Sequence, residues 1–365
     1  NNSETGRFLK GELKIQNTRV KKCFKPQGFI KLSGVTANNL KNLTINIPLG
    51  GVICVTGVSG SGKSTLINKV LISSYKSKIK NSSYDRKTQF CKNVEGLDKI
   101  QEIIKIDQKP IGRSPKSTPA TYTGIFTVIR QLFASSTSAR EKGFEHNHFS
   151  YNCKGGRCEG CKGEGYRKMD MHFLPDQYVI CELCKGQRYN DEALAIRWKG
   201  KNISDILEMP VSEAYQFFKS SKIIERRLRC LLDVGLGYIK LGQSSLTFSG
   251  GESQRIKLAT ELSKVKQGKI VYALDEPTNG LHFSDINLLI DVLSKLTEKG
   301  NTVVVIEHNL DFIKTADWII DLGPDGGEGG GKLVAEGSVK EIIKSTKSHT
   351  GAVLKDFLLS QKING

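Results

Sequence analysis

No stretch of this chain approaches the roughly 20 consecutive apolar residues that cross a bilayer as a helix. The N-terminus, Asn1-Asn2-Ser3-Glu4, also lacks the charged-then-apolar layout of a secretory signal. The sequence therefore reads as that of a cytoplasmic protein, neither membrane-spanning nor exported. An initiator methionine is missing too, so the chain is expected to be processed or to be a piece of something longer. Acidic residues are scarce: 37 Asp and Glu stand against 55 Lys and Arg, a formal net charge of +18. That imbalance predicts attraction to a polyanion such as nucleic acid, or to an acidic membrane surface, with the Lys- and Asn-rich stretch around 75–80 contributing by composition alone. At 365 residues, 38% hydrophobic and 25% charged, the chain is no disordered tail and can bury one large core or two to three smaller ones. Nine cysteines without a secretory signal argue for thiolates used as metal ligands and against a disulfide framework.

Four of those cysteines are spaced for the purpose. Cys158-x-x-Cys161 and Cys181-x-x-Cys184, separated by residues 162–180, fit the pattern of two thiolate pairs that close a tetrahedron around Zn²⁺. Each pair is followed by Lys-Gly (Lys162-Gly163 and Lys185-Gly186), where glycine permits the turn that aims N–H groups at sulfur and lysine offsets the negative charge of the site. Cys153 is left over and reads as non-ligating. Cys23, Cys54, Cys91 and Cys230 have no paired neighbours and read as small buried apolar side chains.

The segment Gly57-Val58-Ser59-Gly60-Ser61-Gly62-Lys63-Ser64 completes a phosphate-binding loop between the apolar run Val52–Val55 and the periodic segment Leu66–Leu71. Strand, glycine loop and helix together make a triphosphate cradle. Backbone N–H groups of Gly57, Ser59, Gly60, Ser61, Gly62 and Thr65 line it, and Lys63 reaches the β/γ oxygens while Ser64 ligates Mg²⁺. Further along, Leu246-Thr247-Phe248-Ser249-Gly250-Gly251-Glu252 opens a helix. Ser249, Gly250 and Gly251 there form a second anion site, although the same pattern in isolation is an N-cap with an acidic first turn.

Ile270–Leu274 is a buried strand that ends in Asp275-Glu276-Pro277-Thr278. Asp275 is placed to hold Mg²⁺, and Glu276 to polarise the attacking water as general base. Thr302–Ile306 delivers Glu307-His308 to the same edge, where His308 can contact the γ-phosphate. Gln108, after the apolar stretch ending at Ile106, can join the Mg²⁺ and water shell.

Taken in order, the glycine loop, the Gln segment, Leu-Thr-Phe-Ser-Gly-Gly-Glu, the hydrophobic-Asp-Glu strand and the strand-ending His resemble the ATP-binding cassette ATPases. Gly155-Gly156-Arg157-Cys158-Glu159, Met171-His172-Phe173-Leu174-Pro175-Asp176, Cys184–Asn190, Asp275–His282 and Ile306–Asp311 narrow the resemblance to the UvrA family of bacterial nucleotide excision repair, and to its C-terminal half. Departures are small: Asn279 stands where the family has Thr, Phe248 replaces a smaller polar residue, and Cys153 is extra.

The resemblance implies an α/β, P-loop ATPase head interrupted by an inserted, mostly helical signature domain with a Cys₄ zinc module. The expected layout is a linker at 1–28, the head at 29–110 and 264–345, the signature domain at 111–263 with its zinc module at about 150–190, and a tail at 346–365. Parallel strands are expected at Val52–Thr56, Val271–Leu274, Thr302–Ile306 and Ile319–Asp321. It further implies ATP, Mg²⁺ and Zn²⁺ as cofactors and head-to-tail pairing, with Lys63 and Ser249 serving different ATP molecules. The partners would be damaged duplex DNA, the N-terminal half, a second copy, and UvrB through that missing half. Lys154, Arg157, Arg167, Lys168 and Arg188, and more weakly Arg113 and Lys116, are the candidate DNA phosphate contacts. A drug-resistance paralogue of the same family and a transporter-associated ATP-binding subunit are the competing readings.

Overall fold

The run Val52-Ile53-Cys54-Val55 is inaccessible on both faces, as are Val271–Leu274 and Thr302–Ile306. Unbroken apolar runs without alternation are what a parallel sheet covered on both sides requires. In the computed structural model these segments are neighbours in one six-stranded sheet. Its order is Lys332–Gly337, Trp318–Gly323, Val52–Gly57, Thr302–Ile306, Ile270–Asp275, Glu102–Ile106. Every adjacent pair is parallel except the edge pair of Trp318–Gly323 with Lys332–Gly337, which is antiparallel. The structure describes residues 3–9, 13, 24–80, 90–169, 171, 177–264 and 269–363. Cys23 and the His172–Asp176 part of the family motif lie outside the described residues.

The described residues divide into two compact units, 1–107 with 266–365, and 108–265. In the first, a smaller antiparallel sheet of Leu43–Pro48, Phe29–Val35 and Asn93–Glu95 accompanies the parallel one. Phe29–Val35 alternates exposed and buried residues at its start, as a strand with one wet face does. Its inward residues Ile30 and Leu32, with Ile45 and Ile47, share one core with Ile53, Val55, Val304 and Ile320. Leu66, Ile67, Val70 and Leu71 of the helix after the glycine loop complete that core. The helix is π-wound over Thr65–Leu71 and α-wound over Ile72–Lys80. Stretches of π-helix are rare and frequent at functional sites, and here Asn68, inside the stretch, hydrogen-bonds Asp275.

The segment read as a C-terminal tail contains a helix, His349–Ile363. Its start is tied to the sheet by a buried carboxylate: Asp321 accepts from Thr56 Oγ1 (2.8 Å), Ser348 Oγ (2.6 Å) and Thr350 Oγ1 (2.8 Å). The tie joins the P-loop strand, its neighbour and the last helix around one side chain that is 2% exposed.

The second unit is helical apart from a two-stranded ribbon, Tyr166–Met169 with Gln177–Ile180. Its core is aromatic. Phe126 stacks on Tyr151, Phe133 meets Phe149, and Tyr151 meets Tyr189 edge-on. Burial raises the phenol pKa of both tyrosines. Among the described residues no helix is long and apolar enough to cross a membrane.

Candidate nucleotide site and cysteine cluster

The glycine loop leaves the C-terminal end of the central strand, the edge at which open parallel sheets bind ligands. Gly57 sits at φ +130°, and a Cβ there would lie 1.9 Å from the Leu322 carbonyl oxygen, so no other residue fits. Behind the loop runs a glycine strap, Gly326–Gly331. Gly327 N–H donates to Gly60 O (3.1 Å) and Gly331 N–H to Ser61 O (3.2 Å), while Asn39 Nδ2 also reaches Gly60 O at 2.8 Å. The strap must be glycine to come this close: a Cβ on Gly331 would stand 1.7 Å from Asn39 O. Two loop carbonyls are thereby engaged by protein groups, which holds the cradle in one conformation.

Lys63 Nζ donates to Gly57 O and Val58 O, both at 2.8 Å, and lies over the loop it belongs to. Burial lowers its pKa, and the nearby carboxylates of Glu276, Asp321 and Asp275 oppose that shift. Ser64 is exposed and makes no capping bond, whereas Thr65 Oγ1 accepts from Asn38 Nδ2 (3.2 Å). Ser61 Oγ is fully buried and has no hydrogen-bond partner among the described residues.

Asp275 ends its strand as expected of an acidic residue at this edge. Burial and then the Glu276 charge raise its pKa, while Asn68, Lys105 and Lys63 pull it down. Glu276 adopts φ +44°, a left-handed conformation uncommon outside glycine. Its carboxylate stands 3.5 Å from His308 Nε2, and both side chains are close to half exposed. The acid and the imidazole, read separately from the sequence, are therefore neighbours. Asp275, Glu276 and the exposed Ser64 bring oxygen donors and Lys63 a cation, the kinds of group that a Mg²⁺-triphosphate requires.

In the second unit Ser249 caps the Gly250–Ser263 helix. Its Oγ accepts from Glu252 N–H (3.2 Å), and its own N–H and hydroxyl donate to Glu252 Oε2 at 2.8 and 2.9 Å. The capping-box pattern is thus realised in full. Tyr238, which the sequence did not single out, donates its hydroxyl to Glu252 Oε1 at 2.7 Å. Burial and this carboxylate push the Tyr238 phenol up to about 12. Gly250 adjoins Gln108: a Cβ on the glycine would lie 3.3 Å from Gln108 Oε1.

Cys158, Cys161, Cys181 and Cys184 converge, with their four Sγ atoms within 4.8 Å of one another and every residue buried. A tetrahedron with metal–sulfur bonds near 2.3 Å has sulfurs about 3.8 Å apart. The Cys161–Cys184 and Cys158–Cys181 separations of 3.6 and 4.0 Å fit it. Lys162 and Lys185 both take positive φ, the knuckle turn anticipated from the Lys-Gly pairs. Gly165 N–H donates to Cys161 Sγ at 3.2 Å. Burial pushes the Cys181 thiol up, but N–H groups of Cys184 and Leu183 outweigh it and bring the thiol down to about 7. Cys153 stands outside the cluster, half-buried. Cys54 and Cys91 are buried as expected, but Cys230 is only half-buried, since it lies between exposed Arg229 and buried Leu231 on its helix.

Of the basic residues near the cluster, Lys154, Arg167 and Lys168 are exposed. Arg157 is half-buried and paired bidentately with Glu159, at 3.0 and 3.1 Å. Arg188 must be withdrawn as a phosphate contact. At φ +73° its side chain turns inward, 6% exposed, to bond Gly242 O (3.0 Å) and lie over the Tyr151 ring. Arg113 is exposed and Lys116 half-buried.

A P-loop at the central strand, an acidic pair and an imidazole at the same edge, and a serine-capped glycine helix are the parts of a cassette ATPase. The ABC transporter family model matches residues 40–279, and the chain belongs to this family of ATP-binding cassette proteins. Within it, the chain is similar to UvrABC system protein A. It is 54% identical to the Haemophilus influenzae protein over 359 residues, covering 98% of this chain and 38% of that protein. It is also 54% identical to the Aquifex aeolicus protein, over 99% of this chain and 39% of that one. The crystal structure of UvrA2 from Deinococcus radiodurans superposes with a TM-score of 0.89 at 44% identity, covering 97% of this chain and 42% of that chain. The chain therefore spans well under half the length of these relatives, and the resemblance read from its motifs extends over nearly all of it.

Proposed function

We propose that this chain is the C-terminal, ATP-hydrolysing half of a UvrA-type DNA damage-recognition protein of nucleotide excision repair. The observation that carries the reading is the pairing of a complete cassette edge, Lys63, Asp275, Glu276 and His308, with a Cys₄ cluster in the unit that also carries the Ser249 helix. A transporter-type subunit has no evident use for that cluster.

Lys63 would bind the β/γ oxygens, Ser64 and Asp275 would hold Mg²⁺, and Glu276 with His308 would orient and deprotonate water. Bound Mg²⁺ supplies neutralisation of the charge on the transferring phosphoryl group. Ser249, Gly250 and Gly251 would meet the nucleotide of a second head, contributed by a second copy or by the N-terminal half of the same protein. Zn²⁺ would be held by Cys158, Cys161, Cys181 and Cys184 as a structural ion. DNA would lie along the cluster-bearing unit, contacted through phosphates by Lys154, Arg167 and Lys168, with Arg157 contributing where Glu159 releases it. UvrB would dock on parts of the protein outside this chain.

The test is steady-state ATP hydrolysis by the purified protein with undamaged and ultraviolet-irradiated duplex. A rate that rises more than linearly with protein concentration and responds to irradiated DNA is expected. Turnover proportional to protein and indifferent to DNA would remove the reading. Binding of duplex DNA is also expected to weaken steeply with salt. Each phosphate contact adds about 0.9 to the slope of log affinity against log salt, so three or four contacts lose on the order of 10²-fold in affinity between 50 and 200 mM salt. A flat salt titration would leave the excess of basic residues without a role in DNA binding.

A further inference from the structure

Glu307 is a carboxylate in a place that should disfavour one. It follows five consecutive buried residues and is itself 2% exposed. Among the described residues no cation pairs with it; three backbone N–H groups do. Oε1 accepts from Thr278 N–H at 2.9 Å, and Oε2 accepts from His308 N–H at 2.9 Å and Asn309 N–H at 3.1 Å. Its own N–H donates to Val55 O on the P-loop strand at 3.3 Å. One side chain therefore bridges two turns, Asp275–Thr278 and His308–Asn309, that leave different strands.

The turn on the Oε1 side carries the left-handed Glu276. Glu276 N–H donates to Ile306 O (2.9 Å) and Glu276 O accepts from Asn279 N–H (3.1 Å), so the strained residue is bonded on both sides. The turn on the Oε2 side carries His308. The 3.5 Å approach of Glu276 Oε1 to His308 Nε2 is set by where these two turns stand. A charge-assisted bond to N–H is short and directional, and three on one buried group leave the turns little freedom.

We propose that Glu307 is a positioning residue for the hydrolytic step. By accepting from both turns, its carboxylate fixes the distance between the general base Glu276 and His308. This inference rests on the ATPase reading above and assigns Glu307 no contact with nucleotide.

Glu307→Gln is the discriminating variant. The amide has one acceptor oxygen and one donor nitrogen, so it cannot accept from all three N–H groups. If the oxygen stays on His308 and Asn309, the amide NH₂ faces the Thr278 N–H and the bridge between the turns is cut. In the purified protein, Glu307→Gln is expected to lower kcat roughly 10- to 100-fold, the scale of a small misplacement at a reacting centre. KM for ATP and the affinity for a fluorescent ATP analogue should stay within about threefold, because the phosphate cradle is untouched. Added to His308→Ala, the substitution should cost less than about threefold more, since residues acting as one unit are non-additive.

A wild-type kcat in Glu307→Gln, full additivity with His308→Ala, or loss of analogue binding together with kcat would each overturn the proposal, the last by marking a general structural role. A wild-type protein without ATP hydrolysis would instead remove the ATPase reading, and this proposal with it.

Discussion

Lys63→Ala is expected to reduce ATP hydrolysis to background, a loss of at least about 10²- to 10³-fold, the scale seen when one charge-stabilising donor is removed from a transition state. The expectation follows from the electrostatics of the edge. Asp275 and Glu276 both bear on the Lys63 charge, and burial already works against the ammonium. A triphosphate entering this edge adds more negative charge, and Lys63 is the cation that the cradle itself supplies. The substitution should leave the fold in place. The ammonium is bonded to Gly57 O and Val58 O, and Val58 is 36% exposed, so water can replace the donor there. Thermal melting alongside the hydrolysis assay checks both halves of the expectation. Turnover near the wild-type level would remove the cradle from the mechanism, and a large drop in melting temperature would turn the loss into a folding effect.

If the cluster holds Zn²⁺ as proposed, Cys181→Ser is expected to abolish zinc retention and unfold the ribbon while sparing the aromatic core of the same unit. The ribbon buries little of itself. Gln177–Ile180 is exposed along its whole length, and Tyr166–Met169 is exposed beyond Tyr166. What anchors it is Cys181, whose N–H donates to Gly165 O (3.0 Å) one residue beyond the Tyr166–Ile180 pair. Structural zinc contributes about 10 kcal/mol or more to modules of this kind, far beyond what a short exposed hairpin supplies. By contrast, Phe126 stacks on Tyr151 and Phe133 meets Phe149 ring to ring, although Tyr151 also touches Arg188 and Tyr189 just beyond the cluster. Zinc content and limited proteolysis within 166–180 are the measurements, with Cys153→Ser as the matched control that should keep its metal. Equal zinc in Cys181→Ser and wild type would exclude Cys181 as a ligand.

The sequence announces both expectations directly. The cradle was legible because a glycine loop needs its glycines in fixed order between a strand and a helix. The Cys₄ cluster was legible because ligand spacing is a local property. The Thr302–Ile306 strand beside the P-loop strand was equally plain, since such an apolar run reads as buried on both faces, whereas the strand at Ile319–Asp321 came only with the family resemblance.

Glu307 was visible as a residue and invisible as a device. Its partners Thr278, His308 and Asn309 are backbone groups, and nothing in a sequence marks which N–H a carboxylate will meet. The glycine strap was missed for the same reason. Asn68 offered a fainter signal, a polar residue amid the apolar Leu66–Leu71 run, which its bond to Asp275 explains.

From the sequence alone came the glycine loop, the cysteine spacing and the buried strands at Val52–Val55, Ile270–Leu274 and Thr302–Ile306, because each is written in neighbouring residues whose spacing is itself the constraint; the strand Glu102–Ile106 was read only as an apolar stretch. Tertiary structure alone decided the strand order, which sets Val52–Gly57 between two strands more than two hundred residues later in the chain. It decided too the docking of the last helix on Asp321, the inward turn of Arg188 and the meeting of Glu276 with His308. These depend on which distant backbone and side-chain groups must be satisfied once water is excluded, and burial settles that question only when the whole chain has packed.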